Sequence, residues 1–144
     1  MTVMRRIAFT VQGHLPPKKD GANSMWNKPF ERARLIELRK AAYSQCGSDT
    51  PLSENIRLNV EIYCPLHELP QIGDLDNFIT GVCDGLMAAA SGTPAESWDS
   101  SELNPIHPSK PLAIRDDRNV VEIIARKLPS ENGERWYRVV LEGA

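Results

Sequence analysis

Apolar residues alternate with polar ones in two stretches of the chain, a pattern that predicts half-buried β-strands. The first stretch runs from residue 7 to about Gly13, and the plainest one covers residues 56–64. Two apolar runs, at 120–124 and 136–141, predict two further strands. The turn residues at 131–134, Glu-Asn-Gly-Glu, predict that these last two strands form a hairpin.

Apolar residues spaced three and four positions apart predict two helices. The first begins at about Pro29, and its outward side is basic, with Lys28, Arg32, Arg39 and Lys40. The second has one apolar face between Leu75 and Met87, and we expect it to begin near Asn77 and to end near Ala90. The order β-α-β-α-β-β predicts an α+β fold, in which a mixed four-stranded sheet has two helices packed on one face.

The 144 residues predict a single domain, spanning 1–144, with a long loop inserted at about 91–113. This segment holds four of the eleven prolines and has no hydrophobic period. A loop of this length beside a site is typical of a lid, and an idle insertion explains it equally well. Trp98 and Ile106 are the residues that we expect to pack part of it against the core.

Two aspartates, Asp74 and Asp76, stand at the beginning of the second apolar helix pattern. Alternate residues of an extended segment project to the same side, so the two carboxylates converge if residues 73–76 are extended. Convergent carboxylates repel one another unless a cation or a proton lies between them, and Mg²⁺ prefers oxygen ligands. The pair therefore predicts a metal site, whereas a single aspartate here is explained by helix capping alone.

A second acidic pair, Asp116-Asp117, precedes the third strand. Neighbouring residues of a strand face opposite ways, so we expect only one of the two to join Asp74 and Asp76. The other is left to cap the chain or to pair with a neighbouring arginine. Three carboxylates from two segments are suited to holding one or two Mg²⁺ ions for phosphodiester hydrolysis. No serine, cysteine or histidine constellation indicates a covalent mechanism.

The charge is unevenly distributed, although the net charge is only −2. Residues 1–45 hold nine basic and three acidic residues, whereas residues 46–117 hold three basic and twelve acidic ones. This distribution favours a protein that binds a phosphate backbone with one region and a metal with another, and an ordinary solvated helix explains it more simply. The basic residues that we expect to contact DNA are Lys18, Lys19, Lys28, Arg32, Arg39, Arg115 and Arg118.

The acidic motifs, taken with their spacing, resemble those of the RusA family of Holliday junction resolvases. The matching segments are Asp74-Leu75-Asp76-Asn77, then Asp84-Gly85-Leu86 one helix length later, and Asp116-Asp117 before a hydrophobic strand. The beginning of the chain is similar as well, with a strand, Pro16-Pro17-Lys18-Lys19 and a basic helix. The resemblance covers nearly the whole chain in the same order of elements.

The resemblance implies a homodimeric, Mg²⁺-dependent endonuclease that cuts four-way DNA junctions in recombination and repair, often encoded by prophages, with Mn²⁺ as a substitute metal. By position, Asp74, Asp76 and Asp117 are then the catalytic, metal-binding aspartates. Three further residues match family positions whose role the motif does not give: Asn77, Asp84 and Asp116. We expect Asp84 to form a hydrogen bond within the fold.

Two departures from the family pattern bear on activity. The family usually has a lysine four residues after the second aspartate, and this chain has Thr80 there. A threonine supplies no positive charge to stabilise the transition state, so Lys18, Lys19, Arg115 and Arg118 are the candidate replacements. The second departure is the long segment 91–113. Two alternatives stay open: a junction-binding protein that has lost its chemistry, and a phosphohydrolase acting on a small phosphate ester.

Composition excludes several other classes. The apolar content of 41% and the charged content of 25% are those of a soluble globular protein, and no apolar run reaches the length of a membrane span. The residues after Met1 do not lead into a signal-peptide core. Three widely spaced cysteines fit no zinc motif and are typical of reduced thiols, which predicts a cytoplasmic protein.

Overall fold

Four strands form one mixed sheet in a computed structural model that describes residues 5–19, 25–47, 49–52, 55–89, 98, 101 and 103–143. The strands are β1 (Arg6–Gln12), β2 (Ile56–Cys64), β3 (Val120–Pro129) and β4 (Trp136–Gly143). Their order in the sheet is β1-β4-β2-β3. β4 is antiparallel to both of its neighbours, and β2 is parallel to β3. This arrangement confirms the predicted fold class and order of elements.

The predicted hairpin between the last two strands is wrong. Gly133 does make a turn, with a φ of 72°. After this turn the chain crosses β2, so β4 does not pair with β3. Instead, β4 lies between β1 and β2. β4 is apolar and buried at Tyr137, Val139 and Leu141, so it is stabilised in the interior of the sheet, whereas β3 is left at its edge.

The two helices are α1 (Pro29–Cys46) and α2 (Leu75–Leu86). Alternate residues of β2 are fully buried and form the centre of the core, with Leu35 and Leu38 of α1 and Phe78 and Val82 of α2. Because α2 connects the parallel strands β2 and β3, it runs antiparallel to both of them. None of the described helices combines the length and the apolar character needed to cross a bilayer.

Helix α2 begins two residues earlier than predicted and ends at Leu86 rather than near Ala90. Asp74 is the extended N-cap residue, with φ −81° and ψ 141°, and its carbonyl oxygen accepts a hydrogen bond from the amide of Phe78 at 3.3 Å. Asp76 therefore lies in the first turn and not in an extended segment. The helix dipole explains the difference, because it favours a negative side chain in the first turn as well as at the cap.

Arg39 is fully buried, so its predicted place on the basic outer side of α1 is wrong. Its guanidinium donates hydrogen bonds to backbone carbonyl oxygens at the end of α2 and in the following segment: Gly85 (2.6 Å), Met87 (3.2 Å), Ile106 (2.7 Å), His107 (2.9 Å) and Lys110. A buried arginine is tolerated because the five N–H donors of its planar fork are satisfied. Arg39 is therefore not accessible to DNA.

The described part of the long segment 91–113 is packed rather than loose. Trp98 is fully buried, Ile106 is 3% exposed, and a 3-10 turn covers Asn104–Ile106. Trp26 packs edge-on against Trp98, with ring centroids 5.7 Å apart. The expectation that Trp98 and Ile106 pack this segment down is confirmed. Residues 91–97, 99, 100 and 102, on which the lid hypothesis partly rests, lie outside the described residues.

Candidate functional site

Asp74 and Asp76 are both exposed at the N-terminal end of α2. Leu75 lies between them and is partly buried against the core, which fixes the helix at this end. Neither aspartate forms an ion pair within the described part of the chain. Two uncompensated carboxylates on one helix turn, at the positive end of the dipole, are available to bind a cation.

The loop that carries Lys18 and Lys19 packs directly on α2. Gly81 makes this contact possible, since a Cβ at that position would lie 1.9 Å from the carbonyl oxygen of Pro17. The amide of Lys19 donates to the carbonyl oxygen of Asn77 at 3.2 Å. The amide of Lys18 donates to the buried carboxylate of Glu31 in α1 at 3.0 Å. The basic loop is thus held between the two helices.

The side chains of the two lysines in this loop contact different parts of the α2 region. The side chain of Lys18 lies against Gly73, where its Cδ and Nζ would be 2.8 Å and 3.1 Å from a Cβ at that position. Lys18 therefore brings a positive charge next to the residue that precedes Asp74. Lys19 forms an ion pair with Asp84 at 3.3 Å, two turns along α2. This pair agrees with the expectation that Asp84 is bonded within the fold.

Lys127 is a residue of this region that sequence reasoning missed. Its Nζ donates to the carbonyl oxygens of Leu69 (2.9 Å) and Gly73 (3.0 Å), and it is partly buried. A second lysine therefore holds the backbone that leads into Asp74. The sequence gives only a weak signal for this role. Ile123, Ala125 and Lys127 occupy alternate positions of β3 and face the helices. An apolar side chain is expected at the third of these positions, and the lysine there is the departure from the pattern.

An open cleft of about 950 Å³ extends as far as Ile72 and Lys18, and neither Asp74 nor Asp76 lines it. Its lining includes Ile72, two residues before Asp74, and the cations Lys18, Arg34 and Arg135. The charge is partly balanced, because Arg135 pairs with Glu68 at 2.7 Å. Burial lowers the pKa of Arg34, and the negative charge of Glu31 opposes this shift. A cleft lined by cations is suited to an anionic ligand.

Thr80 is exposed on α2, one turn after Asp76. Its hydroxyl donates to the carbonyl oxygen of Asp76 at 2.9 Å. A hydrogen bond from the hydroxyl to the carbonyl oxygen four residues earlier is common for a threonine within a helix. Thr80 therefore contributes no charge beside the aspartates, and Lys18 is the one of the four candidate cations that lies next to the Asp74 segment.

Asp116 and Asp117 lie just before β3. Asp116 accepts hydrogen bonds from the amide (2.9 Å) and the guanidinium (2.8 Å) of Arg118, and these bonds lower the pKa of its carboxyl group. Asp116 thus has the capping and ion-pairing role expected for one member of the pair. Asp117 starts a 3-10 turn, Asp117–Asn119, and its side chain is exposed.

The position of Asp117 separates it from the other two aspartates. Its amide donates to the Sδ atom of Met87, which follows the last turn of α2, at 3.1 Å. Met87 is eleven positions after Asp76, which corresponds to roughly 16 Å along a helix axis. Asp117 is therefore at the C-terminal end of α2, whereas Asp74 and Asp76 are at its N-terminal end.

The described residues of one chain contain no group of three or more His, Cys, Asp or Glu side chains placed to hold a metal ion. Asp74, Asp76 and Asp117 of one chain are therefore not close enough together to form the predicted three-carboxylate Mg²⁺ site. Asp74 and Asp76 share one end of α2, and Asp117 is not with them. The metal-binding and catalytic roles of the three residues stay predictions.

The basic residues predicted to contact DNA are spread over several places. Lys18 and Lys19 lie along α2, and Lys28 precedes α1. The guanidinium of Arg32 stacks over the ring of Trp98, 5.7 Å from its centroid. Arg115 lines a different cleft, of about 430 Å³, together with Lys110. Of the set, only Lys18 lines the 950 Å³ cleft.

Comparison with known proteins adds no relative to this picture. No protein-family model matches the chain, and no curated protein sequence matches it. The resemblance to the junction resolvases therefore rests on the motifs quoted above.

Proposed function

We propose that this protein is a Mg²⁺-dependent, structure-selective DNA endonuclease that resolves four-way junctions in recombination and repair and works in the cytoplasm as a homodimer. The observation that carries the proposal is the position of Lys18, whose side chain lies against Gly73, immediately before the exposed Asp74 and close to Asp76 in the chain. Lys18 also lines a cleft together with Arg34 and Arg135. The acidic motif and the basic loop, far apart in the sequence, are thus neighbours in space.

The residues of this chain supply binding and positioning. Lys18, Arg34 and Arg135 attract a phosphate backbone into the cleft, because each phosphate that they neutralise releases a counterion. Glu31 and Gly81 hold the Lys18 loop against both helices, so the positive charge is fixed near the aspartates. Asp74 and Asp76 provide oxygen ligands of the kind that Mg²⁺ takes. A bound Mg²⁺ would polarise the phosphodiester, and the remaining ligands must come from outside this pair of residues.

The enzymatic part of the proposal is tested on a synthetic four-way junction with Mg²⁺ or Mn²⁺. We expect the wild-type protein to cut the junction, Asp76→Asn to lose detectable cutting, and Asp49→Asn to cut as the wild type does. Asp49 is the matched control because it is an exposed aspartate outside the site. Failure of the wild-type protein to cut with either metal would overturn the proposal, as would full activity of Asp76→Asn.

The role of the cleft is tested by junction binding over a range of salt concentrations. Lys18→Gln removes one phosphate contact, so the slope of log K against log salt is expected to decrease by about 0.9. Lys40→Gln makes the same change at an exposed position of α1 outside the cleft and is expected to keep the wild-type slope. Equal slopes for the two variants would remove Lys18 from the DNA-binding surface.

The alternative is a junction-binding protein without nuclease activity. Two observations favour it: Asp117 lies one helix length from Asp76, and Thr80 carries no charge near the aspartates. This alternative predicts junction binding that persists in EDTA and no cleavage with Mg²⁺ or Mn²⁺. The same cleavage assay therefore decides between the two functions.

A further inference from the structure

The smaller cleft, of about 430 Å³, lies between the end of α1 and the segment that leads to β3. The described residues that line it are all different from those that line the larger cleft. Among these described residues, four of the ten that line the smaller cleft belong to the long segment 91–113: Pro105, Lys110, Pro111 and Leu112. The smaller cleft therefore depends on the part of the chain that departs from the resolvase pattern.

The smaller cleft lies at the opposite end of α2 from Asp74 and Asp76. The amide of Leu112, which lines it, donates to the carbonyl oxygen of Leu86, the last residue of α2, at 3.0 Å. Asp74 caps the other end of this twelve-residue helix, whose length corresponds to roughly 18 Å. A ligand in the smaller cleft is thus separated from the two aspartates by the whole length of a helix.

The two walls of the smaller cleft are joined by backbone contacts. Leu52 and Ile114 form an isolated parallel bridge, in which the amide of Leu52 donates to the carbonyl oxygen of Ala113 at 2.9 Å. The buried guanidinium of Arg39 donates to the carbonyl oxygen of Lys110 and so holds one wall from behind. A cleft whose walls are fixed in this way costs little conformational entropy when a ligand binds.

Two positive charges in the smaller cleft have no acidic partner. Lys110 and Arg115 both line it and are exposed, and neither forms an ion pair within the described part of the chain. Asp49 is the one acidic residue of the described lining, which therefore has a net charge of +1. Cations that share a cleft favour an anionic ligand, and the planar fork of an arginine matches the oxygens of a phosphate.

The rest of the lining is suited to a flat ring. The side chain of Tyr43 is half-buried in the wall, and Leu112 is 4% exposed. Pro51, Pro105 and Pro111 complete this apolar part. Proline has no backbone N–H, so these three residues present ring surfaces without a donor, whereas the tyrosine ring provides a face on which another ring can stack.

We propose that the smaller cleft binds a nucleoside monophosphate, with the phosphate at Lys110 and Arg115 and the base against Tyr43 and the prolines. A phosphate monoester carries a charge of about −1.5 to −2 at neutral pH, which matches two cations better than a carboxylate does. The volume of the cleft lies within the range of about 300–1,000 Å³ that is typical of small-molecule sites. None of these residues belongs to the acidic motif, so the site stands apart from the proposed nuclease function.

The class of ligand is tested by isothermal titration calorimetry with AMP, GMP, CMP and UMP. The titrations contain EDTA, so that a metal at Asp74 and Asp76 does not contribute. We expect at least one nucleotide to bind with a dissociation constant of about 0.1 mM or lower. Its nucleoside lacks the phosphate and inorganic phosphate lacks the ring, so each is expected to bind at least about tenfold more weakly. Absence of binding by all four nucleotides would overturn the site, as would a nucleoside or phosphate that binds as tightly as the nucleotide.

The phosphate contacts are tested with two exposed residues whose substitution leaves the core intact. Lys110→Gln and Arg115→Gln each remove one charged donor, so each is expected to weaken nucleotide binding about tenfold. Arg57→Gln makes the same change at an exposed position of β2 outside the cleft and is expected to keep the wild-type affinity. Wild-type affinity in both cleft variants would remove the phosphate from this place.

The position of the base is tested at Tyr43. Tyr43→Ala removes the stacking surface and is expected to weaken binding about tenfold, whereas Tyr43→Phe keeps the ring and the affinity. Phe30→Ala is the matched control, because it removes an exposed ring from the same helix at the larger cleft. If Phe30→Ala weakens binding and Tyr43→Ala does not, the nucleotide lies in the larger cleft and the assignment is overturned.

A free nucleotide and the terminal nucleotide of a strand present the same chemistry, and a short single-stranded oligonucleotide with a 5′-phosphate distinguishes them. If the smaller cleft takes the end of a strand, this oligonucleotide binds at least as tightly as the monophosphate, and Arg115→Gln weakens both. If the cleft takes a free nucleotide, Arg115→Gln weakens the binding of the monophosphate alone. Equal binding of both ligands by Arg115→Gln and the wild type would overturn the site for either source.

Discussion

The carbonyl oxygen of Pro17 occupies the space that a side chain at Gly81 would need. A Cβ there would lie 1.9 Å from that oxygen and 2.5 Å from the carbonyl carbon. The basic loop and the helix that carries the acidic motif are therefore in backbone contact. This contact fixes the distance between Lys18 and the N-terminal end of α2.

Gly81→Ala is expected to destabilise the protein, although the same change usually stabilises a helix by about 1 kcal/mol. The new methyl group must displace backbone, so we expect the free energy of unfolding to fall by about 1–3 kcal/mol. Urea denaturation measures the change, and Thr80→Ala at the neighbouring exposed position is the control, within about 0.5 kcal/mol of wild type. A stabilised Gly81→Ala would show that the loop does not rest on the helix.

Arg39→Met is expected to lower the free energy of unfolding by about 3–5 kcal/mol, because five backbone carbonyl groups lose their charged donor. Arg39→Lys restores the charge but not the planar fork, so most of the loss is expected to remain. Lys40→Met, one residue further on the exposed side, should change stability by less than about 0.5 kcal/mol. Urea denaturation again gives the comparison. A mild effect of Arg39→Met would mean that the segment after α2 is not anchored by this residue.

Cys83 makes stability depend on pH above 9. Burial raises the pKa of its thiol from 9.0 to about 12, and the negative charges of Asp117 and Asp84 act in the same direction. Between these values the folded thiol keeps a proton that the unfolded thiol has released, so this contribution to stability is complete below pH 9 and decreases as the pH rises. The decrease is at most about 1.4 kcal/mol per pH unit. Cys83→Ala should show a shallower fall between pH 8 and pH 10.5 in urea denaturation, and an unchanged slope would assign the pH dependence to other groups.

Thr80→Lys is expected to raise the rate of junction cleavage, since it places a positive charge one turn after Asp76 where the transition state develops negative charge. Removing one such favourable interaction in enzymes changes the rate by about 100-fold, which sets the scale of the gain. Asn132→Lys adds the same charge at an exposed turn and is the control. An unchanged rate in Thr80→Lys would indicate that Lys18 already supplies the charge.

The strands and helices were predictable because their apolar spacing is regular. β1 and β2 alternate, and both helices carry a buried line, so their existence and order follow from local pattern. The pairing of strands does not follow from local pattern. The turn at Gly133 indicates a hairpin between β3 and β4. The strands with which β4 actually pairs are determined by the burial of Tyr137 and Val139 in the interior of the sheet.

The candidate site was only partly predictable. Its residue types and its acidic motif follow from the sequence. The contact between Lys18 and Gly73 does not, because it depends on Gly81, 63 positions after Lys18, which allows the two backbones to approach closely. Arg39 was assigned to the surface because arginines rarely lie in a core, and only the carbonyl groups after α2 explain its burial. The distance of Asp117 from Asp76 follows from the parallel pairing of β2 and β3, which no short motif encodes.

The position of β4 also determines when the sheet can assemble during synthesis. β4 joins β1 to β2, yet it is translated after both of them and after β3. Before β4 is in place, β1 has no strand beside it, and the only strand pair of this sheet that can form is β2 with β3. Until β4 is in place, β1 has no strand to pair with, so an intermediate that lacks β4 leaves the backbone edge of β1 open to chaperones and proteases.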